Sequence, residues 1–545
     1  MIIKRKLLAA SLIALQVGGV SAQVRWIFGD GEVTVQPQSN RNAVEILPAH
    51  QFANHWYKIG MAAVADKPNF PGAGQAKNVI LFVGDGMGVT TVTAARILEG
   101  QLKGMPGEEN NLSFDTFPFT GLAKTYNVDA QTPDSAGTMT AMMSGVKTDV
   151  GVVGIDEDVE RGDCSTVAGN ELVTALELAE VAGMSTGVIS TARITHATPA
   201  ATYAKSPDRN WEDNSDMPED AIALGCEDIA SQLVNFEANL EERFDVDVDG
   251  IEVAMGGGRR HFIPRDASFN VESSAPDVEG DRTDGRDLTA EWQTTYPRGV
   301  FVQDQAGFDA IPADAERVLG LFNESHMQYE ADRANDVLGE PSIADMTTKA
   351  IDILDNNEKG FFLMVESGRI DHSHHAGNAS GALTDTIAFS DAVRAATESV
   401  DMSETLIIVT ADHGHVFTIS GYAKRGNPIL GKVVAVGETD PYLAQDGLPY
   451  TTLNYANGRG FRDLGSETDS DVTYGIDIAT GRVDISSIDT EADGYHQEAL
   501  IPLTSETHSA EDIVIYGAGP GAHAVIGTNE QSVIYHIIGS ALGLE

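Results

Sequence analysis

Three separated stretches of this 545-residue chain pair a carboxylate with an imidazole at spacings that suit a metal ion. Asp371 and His375 stand four residues apart in Glu366-Ser-Gly-Arg-Ile-Asp371-His372-Ser-His374-His375, so a helix would present both on one face. Asp412 and His413 are adjacent in Thr410-Ala-Asp412-His413-Gly414-His415, at a turn after an apolar run. His508, in Glu506-Thr507-His508, would by itself read as a surface histidine. Beside Asp371 and His375 it supplies a third ligand, and three protein ligands with an open position mark a catalytic rather than a structural zinc. Asp85 closes another apolar run, and Glu366 stands at the end of a third. A single acid after a strand is more often a helix cap. Recurrence at three strand ends argues for ligands instead.

A nucleophile is also legible, in Pro133-Asp134-Ser135-Ala136-Gly137-Thr138. Asp134 is placed to cap a helix of small residues, with Ser135 at its N-terminus. Backbone N–H groups and the helix dipole favour an anion there. In isolation Ser135 is only part of a cap, because a serine hydroxyl needs a base or a metal to become a nucleophile. The segment around Ser135 is not a G-x-S-x-G string, so an α/β-hydrolase triad built on that serine is not indicated.

These residues need a frame that delivers them to one place. Val79–Val83 is a continuous apolar run closed by Gly84, as in a strand buried on both faces. Thr186–Ile189, Phe361–Val365, Leu406–Val409 and Ile513–Tyr516 are comparable, with helical patterns such as Glu171–Ala182 and Asp345–Leu354 between them. The alternation predicts an α/β fold, a large and mainly parallel sheet flanked by helices. Ligands then belong beyond the carboxyl ends of the strands. Residues 421–502, rich in Gly, Asp, Thr and Tyr, read as an inserted subdomain.

Lys4, Arg5 and Lys6 precede an apolar stretch from Leu7 to Val20, ending in Val20-Ser21-Ala22. Residues 1–22 therefore read as a cleavable signal peptide, and residues 23–545 as a periplasmic or secreted enzyme. No later stretch is long and apolar enough to cross a membrane. An oxidising compartment favours a disulfide between Cys164 and Cys226, with two buried free thiols as the alternative. Lys and Arg number 35 against 82 Asp and Glu, a formal net charge of −47. That charge argues against nucleic acid or an anionic membrane as a partner. It suits a salty habitat, where charges are screened within about 8 Å or less.

Six strings then carry a family resemblance: VGDGMG (83–88), PDSAGT (133–138), THATPAATYA (195–204), VESGRIDHSHH (365–375), TADHGH (410–415) and ETHSAED (506–512). In order and rough spacing they resemble the motifs of alkaline phosphatases, from about Gln75 to the C-terminus. The likeness is closer to the animal type, as the Cys164/Cys226 pair, Arg209-Asn210-Trp211, His196 and His372 suggest. The resemblance implies hydrolysis of phosphate monoesters through a phosphoserine on Ser135. It implies one zinc on Asp371, His375 and His508, and a second on Asp85, Asp412 and His413. A magnesium would sit on Asp85, Thr198 and Glu366. Arg209 would clamp two phosphate oxygens, oriented by Asp134, a bidentate task suited to a planar guanidinium. His196 and His372 would act on the magnesium and phosphate through water. The inserted region resembles a crown-like subdomain, which implies a homodimer.

Some relatives carry a calcium site, but Asn323 stands where its acid would fall, which leaves calcium open. The C-terminal Ser540–Glu545 has no hydrophobic tail for a lipid anchor. Residues 26–71 match the family poorly. A sulfatase would need a C/S-x-P-x-R segment, and a phosphodiesterase often lacks an Arg209 equivalent. A silent nucleotide-binding protein would have to use GDGMG and Met255-Gly-Gly-Gly258, neither of which is G-x-G-x-x-G.

Overall fold

The computed structural model describes residues 24–28, 31–35, 46–67, 74–271, 277–465, 472–475 and 482–544. The leader read at residues 1–22 lies outside them. In chain order the strands of the main sheet are β1 (Asn78–Gly84), β2 (Phe119–Lys124), β3 (Ser185–Arg193), β4 (Val253–Gly257), β5 (Val300–Val302), β6 (Val318–Leu321), β7 (Phe361–Ser367), β8 (Thr405–Ala411), β9 (Ile513–Ala518) and β10 (Gly527–Glu530). Across the sheet they stand in the order β10-β2-β9-β8-β1-β7-β3-β4-β6-β5. All pair in parallel except β9, which is antiparallel to β8 and β2. The predicted mainly parallel α/β sheet is therefore the fold.

The central strands read as solid apolar runs because every residue of β1, β7 and β8 is buried. Neither face can be left to water, and helices cover both. One group of packed helices is Val89–Leu102, Ile343–Leu354 and Ala379–Ser399; another is Ser135–Ser144, Ala175–Val181, Ala197–Tyr203 and Val533–Leu542. The helix Ala175–Val181 is shorter than its pattern. Thr174 and Glu177 form a reciprocal cap that starts it late, and Glu171 pairs with Ile155 instead.

Five strands have no counterpart among the apolar runs. In β2 the side chains alternate between half-exposed and buried, and β10 is largely polar. The Met255-Gly-Gly-Gly258 string belongs to β4 and the turn after it. A Cβ at Gly257 would lie 2.1 Å from the Ser325 carbonyl oxygen, so glycine there serves close backbone packing. Around residues 421–502, Phe417–Ile419, Leu453–Gly458 and Ala499–Pro502 form a small separate sheet. Between 420 and 498 no helix occurs among the described residues. Upstream, the helix His55–Ala65 docks on the helix Val533–Leu542, with Tyr57 against Tyr535 and His536. No helix among the described residues is long and apolar enough to cross a membrane.

Candidate active site

Register explains how distant residues converge. Gly84 of β1 lies beside Ala411 of β8 and Ser367 of β7. The next residues, Asp85 and Asp412, thus emerge level with each other, and Glu366 stands beside Val83, two register positions back. Because β9 runs the opposite way, the segment before it meets this same edge. Gly414–His415 pairs with His508–Ser509 in a two-residue ladder, which carries His508 into the group. Gly86 makes the sharp exit from β1, at φ +68°. Its N–H donates to Asp412 Oδ1 at 2.9 Å. A Cβ on Gly86 would sit 2.3 Å from His415 Nε2.

Asp371, His375 and His508 come together as one set. Each imidazole Nε2 is 3.3 Å from Asp371 Oδ1, and the two Nε2 atoms are 3.0 Å apart. His375 Nδ1 faces the Glu506 carbonyl at 2.7 Å and His508 Nδ1 the Pro133 carbonyl at 2.8 Å. Each ring therefore donates from Nδ1 and turns a lone pair inward. Two lone pairs at that distance repel unless a cation lies between them. Two imidazoles and a carboxylate are a zinc-type donor set.

Asp85, Asp412 and His413 form the second set. His413 Nε2 is 3.3 Å from Asp85 Oδ1 and 3.3 Å from Asp412 Oδ2. Ser135 Oγ lies 3.2 Å from the same nitrogen and 3.5 Å from Asp85 Oδ1. Ser135 opens the helix Ser135–Ser144, whose N-cap Asp134 accepts from Gly137 N. The serine oxygen thus lies between a helix N-terminus and a cluster of buried donors.

The third set is oxygen-rich. Glu366 and Asp85 are fully buried, and Thr198, on the helix after β3, is buried with them. Asp85 Oδ2, Glu366 Oε1 and Asp412 Oδ2 have no hydrogen-bond partner. Burial, then Asp412, Asp371 and Glu366, push the Asp85 carboxyl well above the usual range. Burial chiefly pushes Glu366 up to about 8. Buried carboxylate oxygens without partners are costly, and a hard cation, which takes oxygen ligands, compensates that charge. All three donor sets therefore fit metal ions.

Arg209 donates to Asp134 Oδ2 at 3.0 Å and lies 3.2 Å from His196 Nε2. Burial first, then Arg209 and Arg193, lower His196 to about 3, so that ring is neutral. Burial and Arg369 likewise hold His372 well below the imidazole range. The Arg369 guanidinium stands 3.2 Å from its Nδ1. Cys164 and Cys226 form a disulfide 62 residues apart in the chain. Asn323 donates to Asp336 Oδ2 at 3.4 Å and accepts from Ser325 N, so a neutral amide occupies the position on which a calcium site hinged.

Several residues of the site escaped sequence reasoning. His415 sits between two carboxylates, with Nδ1 2.6 Å from Glu506 Oε2 and Nε2 2.9 Å from Asp371 Oδ1. Burial works against its charge, but Glu506 and Asp371 prevail and raise it to about 10. The buried His374 bridges Thr91 and Tyr455. His326 lies with its ring 4.0 Å from that of His372. A second histidine in Asp412-His413-Gly414-His415 was the available signal for His415. Nothing local marked His326.

The alkaline phosphatase family pattern matches residues 76–544. The human tissue-nonspecific alkaline phosphatase isozyme is 42% identical over 470 residues, covering 86% of this chain and 83% of the human protein. Alkaline phosphatase of Gadus morhua is 40% identical over 470 residues, covering 86% and 92%. Among solved structures, the Thermus thermophilus alkaline phosphatase superposes with a TM-score of 0.61 at 24% identity, covering 92% of this chain and 96% of that one. The alkaline phosphatase of an Antarctic bacterium gives 0.55 at 22%, covering 86% and 98%.

Proposed function

The chain belongs to the alkaline phosphatase family and is a phosphomonoesterase, and we propose that it works through a phosphoserine on Ser135. The observation that carries this reading is the place of Ser135 Oγ, at a helix N-terminus and within 3.5 Å of both His413 Nε2 and Asp85 Oδ1. Family membership makes the enzyme metal-dependent. We assign zinc to Asp371, His375 and His508 and to Asp85, Asp412 and His413, and magnesium to Asp85, Thr198 and Glu366. Bound there, such ions supply charge stabilisation to the attacking and leaving oxygens of an in-line displacement.

The protein's own groups do the rest. Arg209, oriented by Asp134, receives two oxygens of the phosphoryl group through its planar fork. Ser135 Oγ attacks phosphorus on the side opposite the ester oxygen. The Oγ–P bond forms as the Oγ–H and ester P–O bonds break, and the proton given up by Ser135 balances the one that the departing alkoxide takes up. Water then attacks the phosphoserine from the vacated side, which releases inorganic phosphate and returns Ser135. His196 and His372, kept neutral by burial and nearby arginines, would act on the magnesium and the phosphate through water without adding charge. Little of this depends on the leaving group, so broad acceptance of phosphate monoesters is expected.

Ser135→Ala should lose about a thousandfold or more in turnover of an aryl phosphate. Near-normal turnover would remove Ser135 as nucleophile. Chelation should inactivate the enzyme, with zinc plus magnesium restoring it better than either alone. The Cys164–Cys226 disulfide supports export to the periplasm or beyond. Exposed apolar side chains on the inserted region, among them Tyr422, Val436 and Leu500, support a homodimer, which sedimentation would test.

A further inference from the structure

Glu212 stands three residues after Arg209 and is almost completely buried. Its carboxylate gathers groups from two separate segments, 193–195 and the turn that holds His261. Arg193, at the end of β3, grips it with both arms: Nε to Oε2 at 2.8 Å and Nη2 to Oε1 at 2.5 Å. Thr195 donates its hydroxyl to Oε2 at 2.6 Å. His261, in the turn after β4, brings Nε2 to 3.3 Å of the same oxygen, while its Nδ1 meets Asp213 at 2.6 Å. The backbone is tied as well, with Ala230 N donating to the Glu212 carbonyl at 3.0 Å.

Two of these partners, Thr195 and Arg193, lead to the phosphate side of the site. Thr195 is the neighbour of His196, which touches Arg209. Arg193 continues onto His326 through its backbone N–H and its guanidinium. The His326 ring packs 4.0 Å from His372 and 5.5 Å from His196. One carboxylate thus ties the loop that bears Arg209 to the segments that bear His196 and His326. A buried carboxylate with this many donors has lost its water to specific partners, so its loss would release all of them at once.

We propose that Glu212 is a positioning residue for phosphate recognition, acting through Arg209 and the histidines His196, His326 and His372. It never touches the substrate. It sets the separation and tilt of the groups that do, and a bidentate clamp displaced by about 1 Å loses much of its value. This inference rests on the clamp role proposed for Arg209.

Glu212→Gln keeps the shape and removes the charge. In the metal-loaded enzyme the inhibition constant of inorganic phosphate and the KM of an aryl phosphate should both rise about tenfold, with kcat within about threefold. These are properties of the folded enzyme, so a lowered melting temperature by itself leaves them unmoved. In an Arg209→Lys background the same change should add less than about twofold, because the clamp through which it acts is already gone. An unchanged phosphate constant in Glu212→Gln overturns the inference, and so do effects that multiply in the double variant. If Arg209→Lys alone leaves the phosphate constant unchanged, the clamp reading itself fails. If Arg209→Lys weakens phosphate and Glu212→Gln does not, only the role of Glu212 falls.

Discussion

Replacing His415 by leucine removes a ring whose two nitrogens lie between Glu506 and Asp371, all three side chains being buried. Glu506 keeps the backbone N–H of Val416 at 2.8 Å but loses its cationic neighbour. Breaking a buried ion pair from one side costs about 3–5 kcal/mol. Linkage leads to a similar figure. The ring is raised from 6.5 to about 10 in the folded protein. Its contribution is fully present below pH 6.5, in the metal-free state, and declines as pH rises through 10. At about 1.4 kcal/mol per unit the total is roughly 5 kcal/mol. The assay is urea unfolding of chelator-treated protein between pH 6 and 10. Wild type should lose stability across that range and His415→Leu should show a much flatter profile from a lower start. Asp371 would also lose the ring that orients it, so zinc affinity by dye competition should fall about 10–100-fold. Parallel pH profiles in the two proteins would refute the reasoning, as would an unchanged zinc affinity.

Other consequences can be checked as directly. Gly86→Ala must place a Cβ in a left-handed backbone and 2.3 Å from His415, so a loss of about 3 kcal/mol is expected in urea unfolding; an unshifted midpoint would contradict the geometry. Replacing both Cys164 and Cys226 by serine frees a loop of 62 residues and should cost about 4 kcal/mol, with activity retained at low temperature. With a net charge of −47, the melting temperature should climb between low and molar NaCl, and a flat response would exclude salt adaptation.

The sheet was legible where burial on both faces writes a solid apolar run, as in Val79–Val83 and Phe361–Val365. It was not legible in β10, an edge strand with a polar sequence, or in β5, three residues long. The metal-type ligands were legible because acid and imidazole recur one to four residues apart near strand ends. Glu212 and His326 carry no such mark. An isolated glutamate beside a tryptophan looks like any surface acid until two other segments fold around it. The sequence order of His508 was clear, but its route into the site depends on β9 turning against its neighbours, which no local pattern records.

That reversal also sets a schedule. A chain emerging from the ribosome holds Asp371 and His375 long before His508 exists, and β9 follows later still. Until then the first donor set has two members of three, and the ladder that pairs His415 with His508 has one side. A polypeptide interrupted before that point holds an incomplete first donor set. Completion of the first donor set thus waits for residue 508, more than a hundred residues after Asp371 and His375 have been made.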